Sequence, residues 1–295
     1  MAHLLLVLTT LFWSGNFVLA RAMHLDIPPL TLAFLRWGLA LLILAPWVAP
    51  ALWRERQLLA QHWRRLLLLA WLGVANFNSF VYLGLQHTGA TNATLLQSAI
   101  PVVILLLSVA LGQRIRAAQL GGIAVSLGGV VLIVSRGDPA GLLQLAVNPG
   151  DLWIIAAVLT WSLYSVALRW RPQALSALSL LGSTILLGVL LLLPFFLGEL
   201  SGGAAINWHR GSLLAIGYVA LFPSVLAYFF WNHGVAVLGA ARAGLYIHLM
   251  PVFGLLLSVL FLGEQVLPFH LLGIALIFVG IYLATGRQSR MPSSE

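Results

Sequence analysis

The sequence predicts an all-α integral membrane protein: ten transmembrane helices arranged as two inverted five-helix repeats, with both termini cytoplasmic. Three observations carry this expectation. Hydrophobic residues make up 61% of the 295 and charged residues only 7%, whereas soluble domains carry about 25% charged residues. Ten continuously apolar runs follow one another, and a helix needs roughly 20 apolar residues to cross the hydrocarbon core. The chain also matches itself when displaced by 148 to 151 positions.

The runs fall at about 3–20, 30–50, 65–85, 91–111 and 118–135, then at 151–169, 177–197, 212–232, 240–262 and 268–285. Their unbroken apolar character favours helices over barrel strands, which would alternate over ~10 residues. "ARA" near residue 20 imitates a cleavage site, but "MAH" brings no basic segment and the chain soon turns apolar again, so the first run reads as a retained helix. Segments 136–150 and 198–211 are rich in Gly, Pro and Asn and read as loops, the "RGD" at 136–138 included. The expected organisation is a first repeat over 1–135, an external linker over 136–150, a second repeat over 151–286 and a cytoplasmic tail over 287–295.

Orientation comes from the arginines. All fifteen basic residues are arginine. With the N-terminus inside, Arg54, Arg56, Arg64, Arg65, Arg114, Arg116, Arg169, Arg171, Arg287 and Arg290 are cytoplasmic, whereas Arg21, Arg136 and Arg210 face out. That bias fits the positive-inside rule. The net charge of +8 therefore reports topology and not nucleic-acid binding. Absence of cysteine excludes disulfides and thiol chemistry.

The self-match is the strongest organisational signal. At an offset of 148, Trp13 meets Trp161, Ser14 meets Ser162, Arg21 meets Arg169 and Pro46 meets Pro194. At 150, Gly84 meets Gly234, Gly89 meets Gly239, Pro101 meets Pro251, and "LLLSV" at 105–109 meets the same pentapeptide at 255–259. At 151, Gly122 meets Gly273 and Gly129 meets Gly280. Because each half holds an odd number of helices, the second enters the membrane from the opposite side. Such inverted repeats are characteristic of secondary transporters.

"LFWSGNFVLARAM", "PPLTLAFLRWGLALLIL", the "GLQHTGA…P" of helices 3 and 4, and "LGE" followed by "LLGIALIFVGIYL" together resemble the EamA family of the drug/metabolite transporter superfamily. The resemblance spans essentially the whole chain and extends to the bacterial aromatic amino acid exporters of that superfamily. It implies ten helices in two units, a place in the bacterial inner membrane, and export of amino acids and other small metabolites. Two departures stand out. Gly112-Gln113 replaces the Gly-Glu that persists as Gly263-Glu264, and Arg36 of helix 2 has Thr184 opposite it. Small multidrug-resistance relatives carry a carboxylate in their first helix; here that helix has none, which argues against their cation-antiport mechanism.

The chemistry available at mid-depth is sparse. No phosphate-binding loop is present, and a chain without lysine cannot supply one. Asp26, Asp138, Asp151, Glu199 and Glu264 fall at helix ends or in loops, so paired acids and a metal-ligand cluster are not legible and no cofactor is expected. The chain reads as a non-enzyme whose partners are a small amino acid-like substrate and the lipid bilayer, with no obligate protein partner. Arg36 is costly if lipid-facing, by about 2.5–3.5 kcal/mol at a helix centre. It is read as snorkelling or pairing with Asp26, or as attracting anions toward the cavity mouth; Arg242 is read likewise.

The repeat selects the substrate-facing side chains. Asn76 and Asn78 point about 200° apart on helix 3, and only Asn78 keeps a polar equivalent. Asn78 and Tyr82 match Tyr228 and Asn232; Trp13 and Asn16 match Trp161 and Tyr164; Ser98 matches His248. These ten residues are the candidate substrate contacts, with Asn76 left to helix–helix hydrogen bonding. His248 is either a proton shuttle or an interhelical hydrogen-bonding group. Pro101, Pro223 and Pro251 near the middles of helices 4, 8 and 9 should break backbone hydrogen bonds and free carbonyls for a cargo ammonium.

Overall fold

In the computed structural model every described element is helical; the described residues are 1–113, 116–135, 137–138, 148–262 and 266–285. Arg114, Arg136, most of the 136–150 linker, Gly263-Glu264 and the 287–295 tail lie outside them. Helices α1 (Ala2–Ala22) and α2 (Pro29–Arg54) are followed by a short helix Arg56–Gln61, then α3 (Trp63–His87), α4 (Ala90–Gln97 and Ile100–Ala110) and α5 (Ala117–Val134). The second series is α6 (Pro149–Trp170), α7 (Ala177–Ser201), α8 (Arg210–Leu238), α9 (Ala240–Gly244, Leu245–Leu249 and Met250–Leu262) and α10 (Pro268–Thr285). Among the described residues eight helices are long and apolar enough to cross a membrane; the apolar α5 and α10 are shorter. This is a multi-pass membrane protein.

Helix α8 runs beyond the expected 232 because nothing interrupts it until Gly239, whose φ of +82° ends the helix. Inside the bundle, α3 contains a π-helical stretch at Ala70–Asn76 and α8 another at Ala220–Leu226. The two stand 150 positions apart, so the repeat is structural as well as sequential. Likewise α4 bends at Ser98-Ala99, and α9 tightens to a 3-10 turn over Leu245–Leu249. Contrary to the expectation from sequence, Pro101 and Pro251 do not interrupt the middle of a continuous helix. Each lies in the first turn of the segment that restarts after the irregularity, where a missing N–H costs little. Pro223 does lie within its helix, inside the π-helical stretch.

The principal packings exchange the halves. Helix α1 packs on α8 as α6 packs on α3, and α1 on α9 as α6 on α4, while α2 meets α7 and α5 meets α10. In the last pair a Cβ added to Gly122 would lie 2.4 Å from the Gly280 carbonyl oxygen, and one added to Gly129 would lie 2.5 Å from that of Gly273. The offset of 151 converts the first of these contacts into the second. Small residues thus let these two backbones touch, as in close-packed membrane helices.

Candidate functional site

At the centre of the bundle, equivalent residues touch one another. The Trp13 and Trp161 rings meet edge to face at 4.9 Å. Asn78 Nδ2 donates to the Tyr228 hydroxyl at 3.2 Å. His248 Nε2 lies 3.0 Å from the Ser98 carbonyl oxygen. Two-fold-related groups meet only beside their axis, so these pairs mark the line on which the halves join.

The hub of this region is Arg36, which is 1% exposed. Its Nε donates to Ser224 Oγ at 2.7 Å, and Nη1 donates to Asn78 Oδ1 and the Tyr82 hydroxyl, each at 2.7 Å, and to Asn16 Oδ1 at 3.3 Å. The guanidinium also lies over the rings of Trp37 and Tyr82. The expected partner, Asp26, is elsewhere: it lies 3.4 Å from His209 Nε2 and accepts from Asn207 Nδ2 at 2.9 Å. The snorkelling and Asp26-pairing readings of Arg36 are therefore incorrect. Helix α2 turns this arginine toward α1, α3 and α8, whose amides and hydroxyls can surround a charge that lipid cannot.

Two matched hydrogen bonds flank the hub. Tyr82 donates to Asn16 Oδ1 at 2.8 Å, joining α3 to α1. Tyr164 donates to Asn232 Oδ1 at 2.7 Å, joining α6 to α8. Asn16 corresponds to Tyr164 and Tyr82 to Asn232, so the same tyrosine-to-asparagine bond recurs with its ends exchanged. Tyr228 donates to the Gly73 carbonyl. The freed carbonyl of Val219, four residues before Pro223, accepts from Ser224 Oγ at 2.6 Å.

Trp13, Trp37, Trp161, Trp231, Tyr164 and Tyr228 pack together around this polar core, with centroid separations from 4.8 to 6.3 Å. A cavity of about 10 Å³ remains, lined by Trp13, Asn16, Asn78, Gln97, Trp161 and Met250 among others. That is room for one water at most, so the space bounded by these described residues is closed in this conformation.

Of the sequence-selected residues, Trp13, Asn16, Asn78 and Trp161 line the cavity. Tyr82 and Tyr228 touch Asn16 and Asn78 from behind, and Tyr164 holds the half-buried Asn232. Ser98 and His248 form a separate buried knot: Ser126 Oγ lies 2.6 Å from His248 Nδ1, and Ser98 Oγ donates to Thr94 O. Because the Ser98 carbonyl can only accept, His248 Nε2 carries a hydrogen, and the Ser126 hydroxyl beside Nδ1 also reaches the Ile123 carbonyl at 3.1 Å. His248 is thus an interhelical hydrogen-bonding group tying α9 to α4 and α5. Asn76 makes no side-chain hydrogen bond among the described residues, unlike the role expected for it. Sequence reasoning missed Ser224 and Gln97; it singled out Arg36 by the cost of a charge inside "LAFLRWGLALL" but did not place it among these residues.

The comparisons agree with this architecture. The sequence profile of the EamA-like transporter family matches residues 1–135 and 148–286. An uncharacterized transporter of Archaeoglobus fulgidus is 30% identical over 97% of this chain and 98% of its own. A probable terminal-alkyne amino-acid exporter of Streptantibioticus cattleyicolor is 28% identical over 73% of this chain and 70% of its own. A probable amino-acid metabolite efflux pump of Escherichia coli is 24% identical over 95% and 93%. A solved crystal structure superposes with a TM-score of 0.77 over 96% of each chain at 23% identity, which shows a common fold. Two profile matches separated by a short linker, on a bundle whose equivalent residues meet at its centre, place the chain in the EamA-like transporter family.

Proposed function

We propose that this protein is a ten-span carrier of the bacterial inner membrane that exports amino acids, aromatic or hydrophobic ones above all, and related small metabolites by alternating access. The carrying observation is the closed centre, where amides, hydroxyls and a buried arginine are surrounded by aromatic rings. Polar groups there suit the head of an amphipathic molecule, and ring faces suit its side chain. Two matched halves meeting at that centre suit a mechanism in which they exchange conformations, opening the site first to one side and then to the other. The names of two relatives, an amino-acid exporter and an amino-acid metabolite efflux pump, favour this cargo class. The proposed boundaries are 1–135 and 151–286 for the two repeats, with 136–150 external and 287–295 cytoplasmic. The proposed cargo contacts are Trp13, Asn16, Asn78, Tyr82, Trp161, Tyr164, Tyr228 and Asn232.

Counterflow in proteoliposomes tests the reading. Vesicles preloaded with unlabelled phenylalanine should take up labelled phenylalanine faster than empty ones, because a carrier must return its site across the membrane. Uptake without acceleration identifies a channel, and acceleration by none of a broad amino-acid panel removes this cargo class.

A further inference from the structure

The centre of the bundle holds an excess of hydrogen-bond donors and a positive charge without a counter-ion. Among the described residues, no carboxylate pairs with Arg36; its four hydrogen bonds go to neutral oxygens of Asn16, Asn78, Tyr82 and Ser224. Two cavity-lining side chains keep unpartnered buried donors, Gln97 Nε2 and Trp161 Nε1. Trp37 Nε1 and Trp231 Nε1, in the surrounding ring cluster, are also unpartnered. The nearby acceptors, in contrast, are taken: the carbonyls of Gly73, Val219, Pro223 and Ser98 bond to Tyr228, Ser224, Trp13 and His248. Of the carbonyls expected to be freed by the prolines for a cargo ammonium, that of Val219 is thus already used by the protein.

An ammonium brings only donors and a like charge to such a site. A carboxylate brings only acceptors and the missing negative charge, and its bonds to a guanidinium are short and strong. Low dielectric strengthens that attraction, while an unpaired buried charge stays costly. A second pocket, of about 70 Å³, is bordered by Arg169 and Arg171 at the ends of α6 and the following turn, so a further positive surface lies on the bundle.

We propose that the central cavity is a receptor for organic monocarboxylates with an apolar or aromatic body, with Arg36 as the anion-binding group, and that the cargo ammonium is not recognised. This rests on the reading that the cavity is the cargo site, and it sharpens the cargo from zwitterion to anion. On binding, the carboxylate displaces the Asn16 and Asn78 amide oxygens from Nη1, and those amides turn their N–H groups toward it.

Three molecules of one skeleton separate the possibilities: 3-phenylpropanoate, phenylalanine and phenethylamine, titrated by tryptophan fluorescence against the full chain in nanodiscs. The expected order is 3-phenylpropanoate tightest, with at least about a tenfold smaller Kd than phenethylamine and a smaller Kd than phenylalanine. Arg36→Gln should abolish the preference for the carboxylate, and Arg36→Lys should keep part of it. Should Arg36→Gln fail to fold, Asn78→Asp places a carboxylate of the protein's own against Nη1 and should suppress binding of the two carboxylates, 3-phenylpropanoate and phenylalanine, while sparing phenethylamine. Equal or tighter binding of phenylalanine or phenethylamine overturns the proposal, as does preference surviving in the folded variants or binding of none of the three. Counterflow keeps the two readings apart. Phenylalanine exchange undiminished by Arg36→Gln removes this proposal and leaves amino-acid export standing; Arg36-dependent carboxylate binding without phenylalanine exchange does the reverse.

Discussion

At the scale of single residues, the centre is governed by how each buried polar atom finds a partner. Ser224 serves two at once, accepting from Arg36 Nε and donating to the Val219 carbonyl that Pro223 leaves without its usual donor. Ser183 on α7 is also buried, but its hydroxyl returns to Leu180 of its own helix. Ser224→Ala should therefore lower stability by about 1–3 kcal/mol, since it leaves the buried Arg36 Nε unpaired and removes one of the bonds to the Val219 carbonyl, whereas Ser183→Ala should be nearly neutral. The midpoint of thermal loss of monodisperse protein in detergent measures the difference, and equal shifts contradict it. The sequence disclosed part of this network. Asn78, Tyr82 and Tyr228 were legible because the repeat aligned them. Arg36 was not, because its equivalent is Thr184, which bonds only to Leu180 and Leu181 of its own helix. An asymmetric feature cannot be read by symmetry, and the nearness of Asp26 in sequence suggested the wrong partner.

At the scale of elements, the antiparallel pair α2 and α7 is fastened at both ends by acids that the sequence assigned only to helix termini. Glu199, near the end of α7, accepts from the Thr31 amide at 2.6 Å, the Thr31 hydroxyl at 2.7 Å and the Leu30 amide at 3.2 Å, at the start of α2. Glu55, just after α2, accepts from the Ser176 amide at 3.0 Å, at the start of α7. Each carboxylate satisfies otherwise orphaned N–H groups and meets the positive end of the partner helix. Glu199→Gln should weaken the bundle more than Glu55→Gln, because Glu199 accepts from two amides and a hydroxyl at half-buried positions, whereas the Ser176 amide bond of Glu55 is exposed. The Glu55 carboxyl responds to pH. Partial burial pushes it up, but hydrogen bonds from Ser176 and Ser179 and the charge of Arg54 outweigh this and hold it below its ordinary 4.5. A lowered carboxylate stabilises above its ordinary value and loses that contribution as pH falls through the lowered one. The stability gap between wild type and Glu55→Gln should thus be constant near neutrality and shrink below about pH 4.5; a gap that widens on acidification contradicts this. Helix positions were legible from continuous apolar runs, while the π-helical stretches, the Ser98 bend and the 3-10 turn were not. Prolines lie in or just after three of these irregularities, Pro223, Pro101 and Pro251, but do not say which form each takes, and the Ala70–Asn76 stretch has none.

At the scale of the whole molecule, the arginines divide the ends of the bundle. Arg54, Arg56, Arg64, Arg65, Arg169 and Arg171 flank the α2–α3 and α6–α7 connections, whereas Arg21 and Arg210 lie at the ends of α1 and α8. The richer end also carries tryptophan–arginine stacks: Trp53 with Arg56 at 4.8 Å, Trp63 with Arg64 at 5.5 Å and Trp170 with Arg169 at 5.2 Å. Exposed tryptophans anchor at the membrane interface, and arginines beside them suit the anionic cytoplasmic leaflet. The proposed orientation thus places Gln57 inside and Leu25, in the α1–α2 turn, outside. Both side chains are exposed, and the chain contains no cysteine, so a single introduced thiol reports alone. In intact cells an impermeant maleimide should label Leu25→Cys and spare Gln57→Cys until the membrane is opened. The opposite pattern inverts the topology. Labelling at both positions in intact cells denies the odd number of crossings between them, because α2 alone separates the two sites.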